Sequence, residues 1–138
     1  MVKAYSISAA DIVAEKERVG GDFSRFEFAN VIKLDQLALR KLGPADVHLR
    51  ILAASVEHNV DHAVLADTDS IAAARGGKIY PGNSAIGEVL AVGSEVKRFK
   101  PGDIALTHCN GQPDGYGYPM RIWAYDQPDS IGWYAEEA

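Results

Sequence analysis

Apolar and polar residues alternate along several short stretches of this chain, and a period of two is typical of half-buried β-strands. Strands are predicted for residues 2–8, 25–34, 47–56, 85–93 and 104–109. Two further segments, 120–126 and 131–138, follow a Gly/Pro-rich loop predicted for 110–119. Many short strands separated by turn signals favour a mainly β protein with a partly open barrel over a parallel α/β sheet.

Helix signals are confined to the middle of the chain. The segment "HNVDHAVLAD" at 58–67 has helical character, and "DSIAAARGG" at 69–77 is typical of a helical turn that glycine ends. The glycine pair at 20–21 breaks the chain between the first two strands. One or two short helices are therefore expected beside the barrel.

Composition excludes several classes of function. A net charge of −5 without a basic run argues against a nucleic-acid partner. No apolar stretch reaches the roughly 18 residues that a membrane span needs, and the N-terminal residues do not form a signal peptide. Cys109 is the only cysteine, so no internal disulfide forms, and a reducing cytoplasm is the expected compartment. The length of 138 residues fits one domain, 1–138.

Ten residues between Gly87 and Asp103 follow the spacing G-E-V-x-x-V-G-x-x-V-x-x-F-K-x-G-D. In physical terms, a strand turns at Gly93, Val96 packs back, and 101–103 makes a tight turn into the next strand. This set resembles the GroES-like N-terminal catalytic domain of the medium-chain dehydrogenase/reductase superfamily, which includes the zinc alcohol dehydrogenases. The resemblance runs from Phe26 to the end of the chain and implies a GroES-like barrel that binds substrate.

The chain carries no G-x-G-x-x-G motif between a strand and a helix, so it has no dinucleotide-binding unit of its own. The resemblance therefore implies that a Rossmann domain, supplied in cis or in trans, holds the nicotinamide cofactor. The isolated barrel is expected to be inactive alone, to expose apolar surface and to form a homo-oligomer.

The resemblance also places the zinc-ligand positions of the alcohol dehydrogenases on Glu57, Asn83 and Ser84. Asparagine and serine are poor zinc ligands, and no thiolate is present at these positions. We therefore expect no catalytic zinc. A different metal site could use Glu57 with His58 and His62, which share a helix face at a spacing of four, but no third strong ligand accompanies the two histidines.

A second resemblance narrows the branch. The segments "VEHNVDHAV" (56–64), "THCNG" (107–111) and "RIWAYDQPDSIGWYAE" (121–136) are similar to parts of crotonyl-CoA carboxylase/reductases and related enoyl-thioester reductases. This likeness implies NADPH as the hydride donor and an acyl-CoA or acyl-carrier thioester as the substrate. In such a reduction the pocket stabilises an enolate oxygen and supplies a proton.

The same likeness nominates the site residues. Asn59 falls on the second asparagine of an "NYN" turn in those enzymes, and His58 falls on its tyrosine, so both are candidate catalytic residues. Glu57, His62 and Asn83 are candidate substrate contacts. For each residue the alternative is a structural role, such as a helix cap or a contact at the rim of the cleft.

Three hypotheses follow. The first is the substrate-binding domain of a zinc-independent oxidoreductase that reduces an enoyl thioester or similar activated double bond. The second is a standalone GroES-like binding module without catalytic activity. The third is an alcohol dehydrogenase-like member of the superfamily.

Overall fold

The computed structural model describes residues 1–57, 77–108, 110–116, 119–122 and 131–138. Most of the regular structure in these ranges is β-strand, with two α-helices and one 3₁₀ turn at Phe23–Arg25. The helices are α1 (Ala9–Val19) and α2 (Phe28–Val31). The strands are β1 (Val2–Ser8), β2 (Ile32–Leu37), β3 (Val47–Ala54), β4 (Lys78–Ile79), β5 (Ala85–Val92), β6 (Ile104–Leu106), β7 (Asn110–Pro113) and β8 (Pro119–Ile122).

The first sheet has the order β2-β1-β4 and is antiparallel throughout. β1 pairs along its length with β2, from Val2 opposite Leu37 to Ile7 opposite Ile32. One face of this sheet is closed by the helices, where a core cluster of buried residues forms around Ile7, Ile12, Val31 and Ile79. This packing fixes the position of β1, which also forms backbone hydrogen bonds with residues 131–138.

Helix α1 begins at a side-chain cap and carries a buried charge. The Ser8 hydroxyl accepts a hydrogen bond from the Asp11 N–H at 3.1 Å, satisfying a donor of the first turn. Glu15 is only 3% exposed, and Arg18 donates to both of its oxygens at 2.8 and 2.6 Å. These bonds from Arg18, helped by Asn30 and by the Glu27 backbone, outweigh burial and lower the pKa of Glu15 to about 2.

The second sheet has the order β3-β5-β6. β3 and β5 pair from Val47 opposite Val92 to Ala54 opposite Ala85, with two register shifts. Such bulges bend a sheet, and bending is what an open barrel requires. The inward residues of this sheet form a cluster with Trp133: Leu49, Val89 and Ala105 are buried, and Val47, Ile51 and Val92 pack against them.

Residues 131–138 join the two sheets. Tyr5 N–H donates to the Tyr134 carbonyl at 2.8 Å on the side of the first sheet. On the other side, Leu49 exchanges backbone hydrogen bonds with Ala138 at 2.8 and 3.0 Å. The segment thus acts as a shared strand between two antiparallel sheets, which in the described part of the chain do not close into a complete barrel. This arrangement confirms the predicted mainly β, partly open barrel with short helices.

The strands predicted for 2–8, 47–56 and 85–93 are confirmed, with ends shifted by at most two residues. The prediction for 104–109 is met by the shorter β6. Cys109 and the two predicted helical segments, 58–67 and 69–77, lie outside the described residues, apart from Gly77.

Two predictions were wrong in part. Residues 25–31 form the end of the 3₁₀ turn and the helix α2 rather than a strand. The reason is that the Glu15 carboxylate accepts hydrogen bonds from the Glu27 N–H and the Asn30 amide, which hold this stretch against α1. The ends of the predicted 110–119 loop instead form the β7–β8 hairpin. Its prolines are tolerated because a two-stranded ribbon leaves outward backbone groups unpaired.

Candidate functional site

Three chain segments meet at one end of the β3-β5-β6 sheet. Antiparallel pairing brings the end of β3, the start of β5 and the end of β6 to the same edge. The Ser55 N–H donates to the Ser84 carbonyl at 2.9 Å, and the Thr107 N–H donates to the Ala85 carbonyl at 2.8 Å. Sequence positions that are far apart, 55–57, 83–84 and 107–108, are therefore neighbours at one edge.

Glu57 is held at this edge by hydrogen bonds to both carboxylate oxygens. The Ser55 hydroxyl donates to Oε1 at 2.6 Å, and the Asn83 side-chain amide donates to Oε2 at 3.0 Å. Asn83 itself is fully buried. These two bonds are the main reason that the pKa of Glu57 is lowered, with further contributions from Ser84 and from the positive charge of His108. Glu57 is therefore a fixed anion at neutral pH.

Tyr134 ties the C-terminal segment to this cluster. Its hydroxyl donates to the Ser55 carbonyl at 2.9 Å. Burial raises the pKa of the Tyr134 phenol, and the negative charge of Glu57 raises it further against a lowering backbone hydrogen bond from Glu57. The phenol thus stays protonated and acts as a donor, which fixes the backbone at Ser55, two residues before Glu57.

A cleft of about 440 Å³ extends from the start of β3 to His108, which lies beyond the end of β6 on the side of the cluster. It is lined largely by apolar side chains, with His48 and His108 among its polar groups. His48 pairs with Glu137 at 2.9 Å, and Arg40 pairs with Asp46 at 2.7 Å. The apolar members include Leu37, Leu39, Leu42, Ile131 and Trp133.

A second, more open groove of about 650 Å³ runs between β1–β2 and β3, with residues 133–136 also lining it. Large aliphatic side chains are exposed along it: Leu34 is 61% exposed, Leu52 is 55% and Val56 is 92%. Aliphatic exposure of this extent on one contiguous surface is typical of a contact with another protein unit.

The cluster does not fit a zinc site of the alcohol dehydrogenase type. Catalytic zinc takes thiolate, imidazole or free carboxylate ligands, whereas both oxygens of Glu57 already accept hydrogen bonds and Asn83 directs its NH₂ group at Glu57. Across the described ranges, no group of three or more His, Cys, Asp or Glu residues could hold a metal ion.

Of the residues predicted from sequence, Glu57 and Asn83 are brought into direct contact. His58, Asn59 and His62 lie outside the described residues, so their roles stay predictions. Sequence reasoning did not identify Ser55, which lies two residues before Glu57 and donates to it. It also did not identify Tyr134, which reaches this cluster only because distant segments pair. The "THCNG" stretch was a signal for His108, although only as part of a resemblance.

A partly open antiparallel barrel with a polar cluster at one sheet edge defines the GroES-like class of catalytic domains. The chain belongs to the alcohol dehydrogenase GroES-like domain family, whose model matches residues 43–138. Members of this superfamily are NAD(P)-dependent oxidoreductases. Among the helices that the structure describes, none has the length and apolar character needed to cross a membrane.

Two curated relatives illustrate the range of similar sequences. A cinnamyl alcohol dehydrogenase of Medicago truncatula is 34% identical over 125 residues, covering 83% of this chain and 33% of the relative. A crotonyl-CoA carboxylase/reductase of Cereibacter sphaeroides is 48% identical over 59 residues, covering 35% of this chain and 14% of that protein. The chain spans about a third of the length of the first of these relatives.

Solved structures agree over nearly the whole chain. A crotonyl-CoA carboxylase/reductase superposes with a TM-score of 0.74 at 28% identity, covering 99% of this chain and 31% of the other. The crotonyl-CoA carboxylase/reductase AntE, in complex with NADP, gives a TM-score of 0.73 at 24% identity over 99% of this chain and 34% of that one. The second likeness supports the fold alone.

Proposed function

We propose that this chain is the substrate-binding domain of a zinc-independent, cytoplasmic medium-chain oxidoreductase. Its reaction is the NADPH-dependent reduction of an enoyl thioester, or of a similarly activated double bond. The substrate is an acyl-CoA or an acyl-carrier thioester. In this proposal Asn59 and His58 contribute polar groups to the pocket, and Glu57, Asn83 and His62 border the substrate.

The observation that carries the proposal is the hydrogen-bonded Glu57–Asn83 pair. Its two residues occupy positions where, by the resemblance, alcohol dehydrogenases have zinc ligands. In this chain the Asn83 amide donates to the Glu57 carboxylate instead. Alcohol oxidation in that branch depends on a Lewis acid at the alcohol oxygen. Hydride addition to an activated double bond needs positioned hydrogen-bond donors rather than a metal, and in this proposal Asn59 and His58 supply them.

The cofactor half is proposed to be a Rossmann domain, in cis or in trans. Two observations support a missing partner: the chain spans about a third of a relative's length, and the 650 Å³ groove exposes Leu34, Leu52 and Val56. NADPH is the proposed donor because a structurally similar protein, AntE, is in complex with NADP. A homo-oligomer is proposed for the assembled protein.

The test combines this chain with its cofactor half, fused or co-expressed, and measures NADPH oxidation with crotonyl-CoA. A parallel assay measures NADP⁺ reduction with cinnamyl alcohol, and metal content is determined on the same sample. Turnover of crotonyl-CoA at substoichiometric zinc supports the proposal. Stoichiometric zinc together with alcohol oxidation would establish the alcohol dehydrogenase-like alternative, which the cinnamyl alcohol dehydrogenase relative favours.

The chain without its cofactor half serves as the control. We expect no turnover from it under the same conditions. Activity from the chain alone contradicts the need for a partner domain. Saturable binding of a thioester without turnover in any combination would instead support a binding module.

A further inference from the structure

His108 stands where the candidate site meets the 440 Å³ cleft. It follows β6 directly, and the preceding Thr107 is fixed to β5 by a bond from the Ala85 N–H to Oγ1 at 2.8 Å and by one from its own N–H to the Ala85 carbonyl at 2.8 Å. The position of the His108 backbone is therefore set by the sheet. Its side chain lines the cleft and is exposed to solvent.

Two polar side chains of the cleft have carboxylate partners. His48 Nε2 lies 2.9 Å from a Glu137 oxygen, and Arg40 pairs with Asp46 at 2.7 Å, with a second contact between them at 2.8 Å. The positive charge of His108 contributes to lowering the pKa of the Glu57 carboxyl. An imidazole thus borders both the apolar cleft and the fixed anion of the candidate site.

We propose that His108 is the proton donor of the reduction, an inference that rests on the proposed function. Hydride from NADPH forms the new C–H bond at the β-carbon of the enoyl thioester, and the π electrons move to give the enolate. The His108 imidazolium then transfers its proton to the α-carbon, which yields the saturated thioester, NADP⁺ and neutral imidazole. Solvent in the open cleft reprotonates the ring.

The chemistry of the position suits this role. Histidine exchanges a proton near neutral pH and serves as a general acid more often than any other side chain. Because Glu57 is ionised and held rigidly, it provides a negative charge beside the imidazolium without accepting the proton itself. The titratable or charged groups that line the cleft with His108 are Arg40, Asp46 and His48. Glu137 contacts His48, and Glu57 is linked to His108 by charge.

The experiment uses the chain together with its cofactor half and compares His108→Gln with Glu17→Gln, a control at an exposed residue of α1 outside the cleft. In D₂O, we expect the unaltered protein to place deuterium on a single face of the α-carbon. His108→Gln is expected to lower kcat by about 10²- to 10⁴-fold and to deuterate both faces. Glu17→Gln is expected to keep both the rate and the stereochemistry.

A rate loss that keeps single-face deuteration would assign His108 a structural role and overturn the inference. A His108→Gln variant with unchanged rate and pH profile would do the same, while leaving the proposed function intact. If the unaltered assembly reduces no enoyl thioester, the proposed function and the inference both fail.

A readout that needs no turnover tests the electrostatic influence of Glu57 on His108. The imidazole NMR resonances of His108 are expected to shift in Glu57→Gln and to stay in place in Glu17→Gln, which alters an exposed glutamate on α1. Unchanged His108 resonances in Glu57→Gln would overturn the electrostatic link between His108 and Glu57 on which the inference depends.

Discussion

At the scale of single residues, Glu57 is defined by the hydrogen bonds that its carboxylate accepts. Ser55 and Asn83 each donate a hydrogen bond to one carboxylate oxygen. Rotation of the Glu57 side chain would therefore break both bonds. A carboxylate held in this way keeps a negative charge in one position at neutral pH. That charge acts on the groups that come close to it.

The first prediction concerns the pH dependence of stability. Because the pKa of Glu57 is lower in the folded chain, its contribution is fully present above the ordinary glutamate value of about 4.5 and is lost as pH falls through the folded value. Glu57→Gln should therefore destabilise the chain at pH 7, with the difference shrinking as the pH drops below 4.5. Urea unfolding at a series of pH values measures this.

Glu17→Gln is the control for that series, because Glu17 is exposed. Its unfolding midpoint should follow the unaltered chain at every pH. A constant difference between Glu57→Gln and the unaltered chain from pH 7 to pH 3 would contradict the assignment of a lowered pKa.

The second prediction concerns Tyr134. Tyr134→Phe removes the donor to the Ser55 carbonyl and is expected to cost about 1 kcal/mol of unfolding free energy, the usual net value of one hydrogen bond. Tyr116→Phe, at a residue that is 91% exposed, should change stability by less than about 0.5 kcal/mol. Equal effects of the two substitutions in urea unfolding would argue against this hydrogen bond.

At the scale of elements, α1 is an amphipathic helix whose buried stripe contains a charge. Ile12, Glu15 and Val19 face inward at helical spacing. The stripe is stable because Arg18 and the 27–30 segment satisfy the Glu15 carboxylate. The helix and the segment after it are thus one interdependent unit.

A third prediction tests that unit. Ile12 is fully buried, whereas the adjacent Val13 is 45% exposed on the same helix. Ile12→Ala should cost about 2–5 kcal/mol of unfolding free energy, and Val13→Ala should cost less than about 0.5 kcal/mol. Thermal and urea unfolding measure both, and a similar loss for the two variants would show that α1 does not pack on the first sheet as described.

A comparison of these elements with the sequence pattern shows which parts of the fold the sequence predicts. β1, β3 and β5 were predictable because each alternates over seven or eight residues. α1 was not, since a glutamate in its buried stripe conceals the helical period. At the site, Glu57 and Asn83 were predictable by resemblance, but their contact depends on pairing between β3 and β5, which local pattern does not encode.

At the scale of the whole molecule, the two sheets depend on one shared segment, 131–138. Gly82 adopts φ +125° where this segment crosses the start of β5, and a methyl group there would overlap the backbone nitrogen of Trp133. The close approach also allows the Trp133 N–H to donate to the Gly82 carbonyl at 3.3 Å. The joint between the sheets therefore requires glycine.

The fourth prediction distinguishes two costs of replacing a glycine: the steric overlap that a side chain at Gly82 would make and the strain of a positive φ. Gly102 also has positive φ, +90°, but has open space around its Cα. Gly102→Ala should cost about 1–2 kcal/mol from strain alone. Gly82→Ala adds overpacking and should cost about 2–5 kcal/mol. The measurement is the unfolding free energy in urea, and a Gly82→Ala variant no less stable than Gly102→Ala would contradict the described joint.

The shared segment also has a consequence for the order in which the chain folds. Ala4 bridges to Ala135 and Arg50 to Glu137, so the contacts that unite the sheets join residues far apart in sequence. Closing such long loops is entropically costly and slow. During synthesis on the ribosome, β1–β2 and β3–β5 can pair early, whereas the joining of the two sheets, and the bond from Tyr134 to Ser55, must wait until residues 131–138 have emerged.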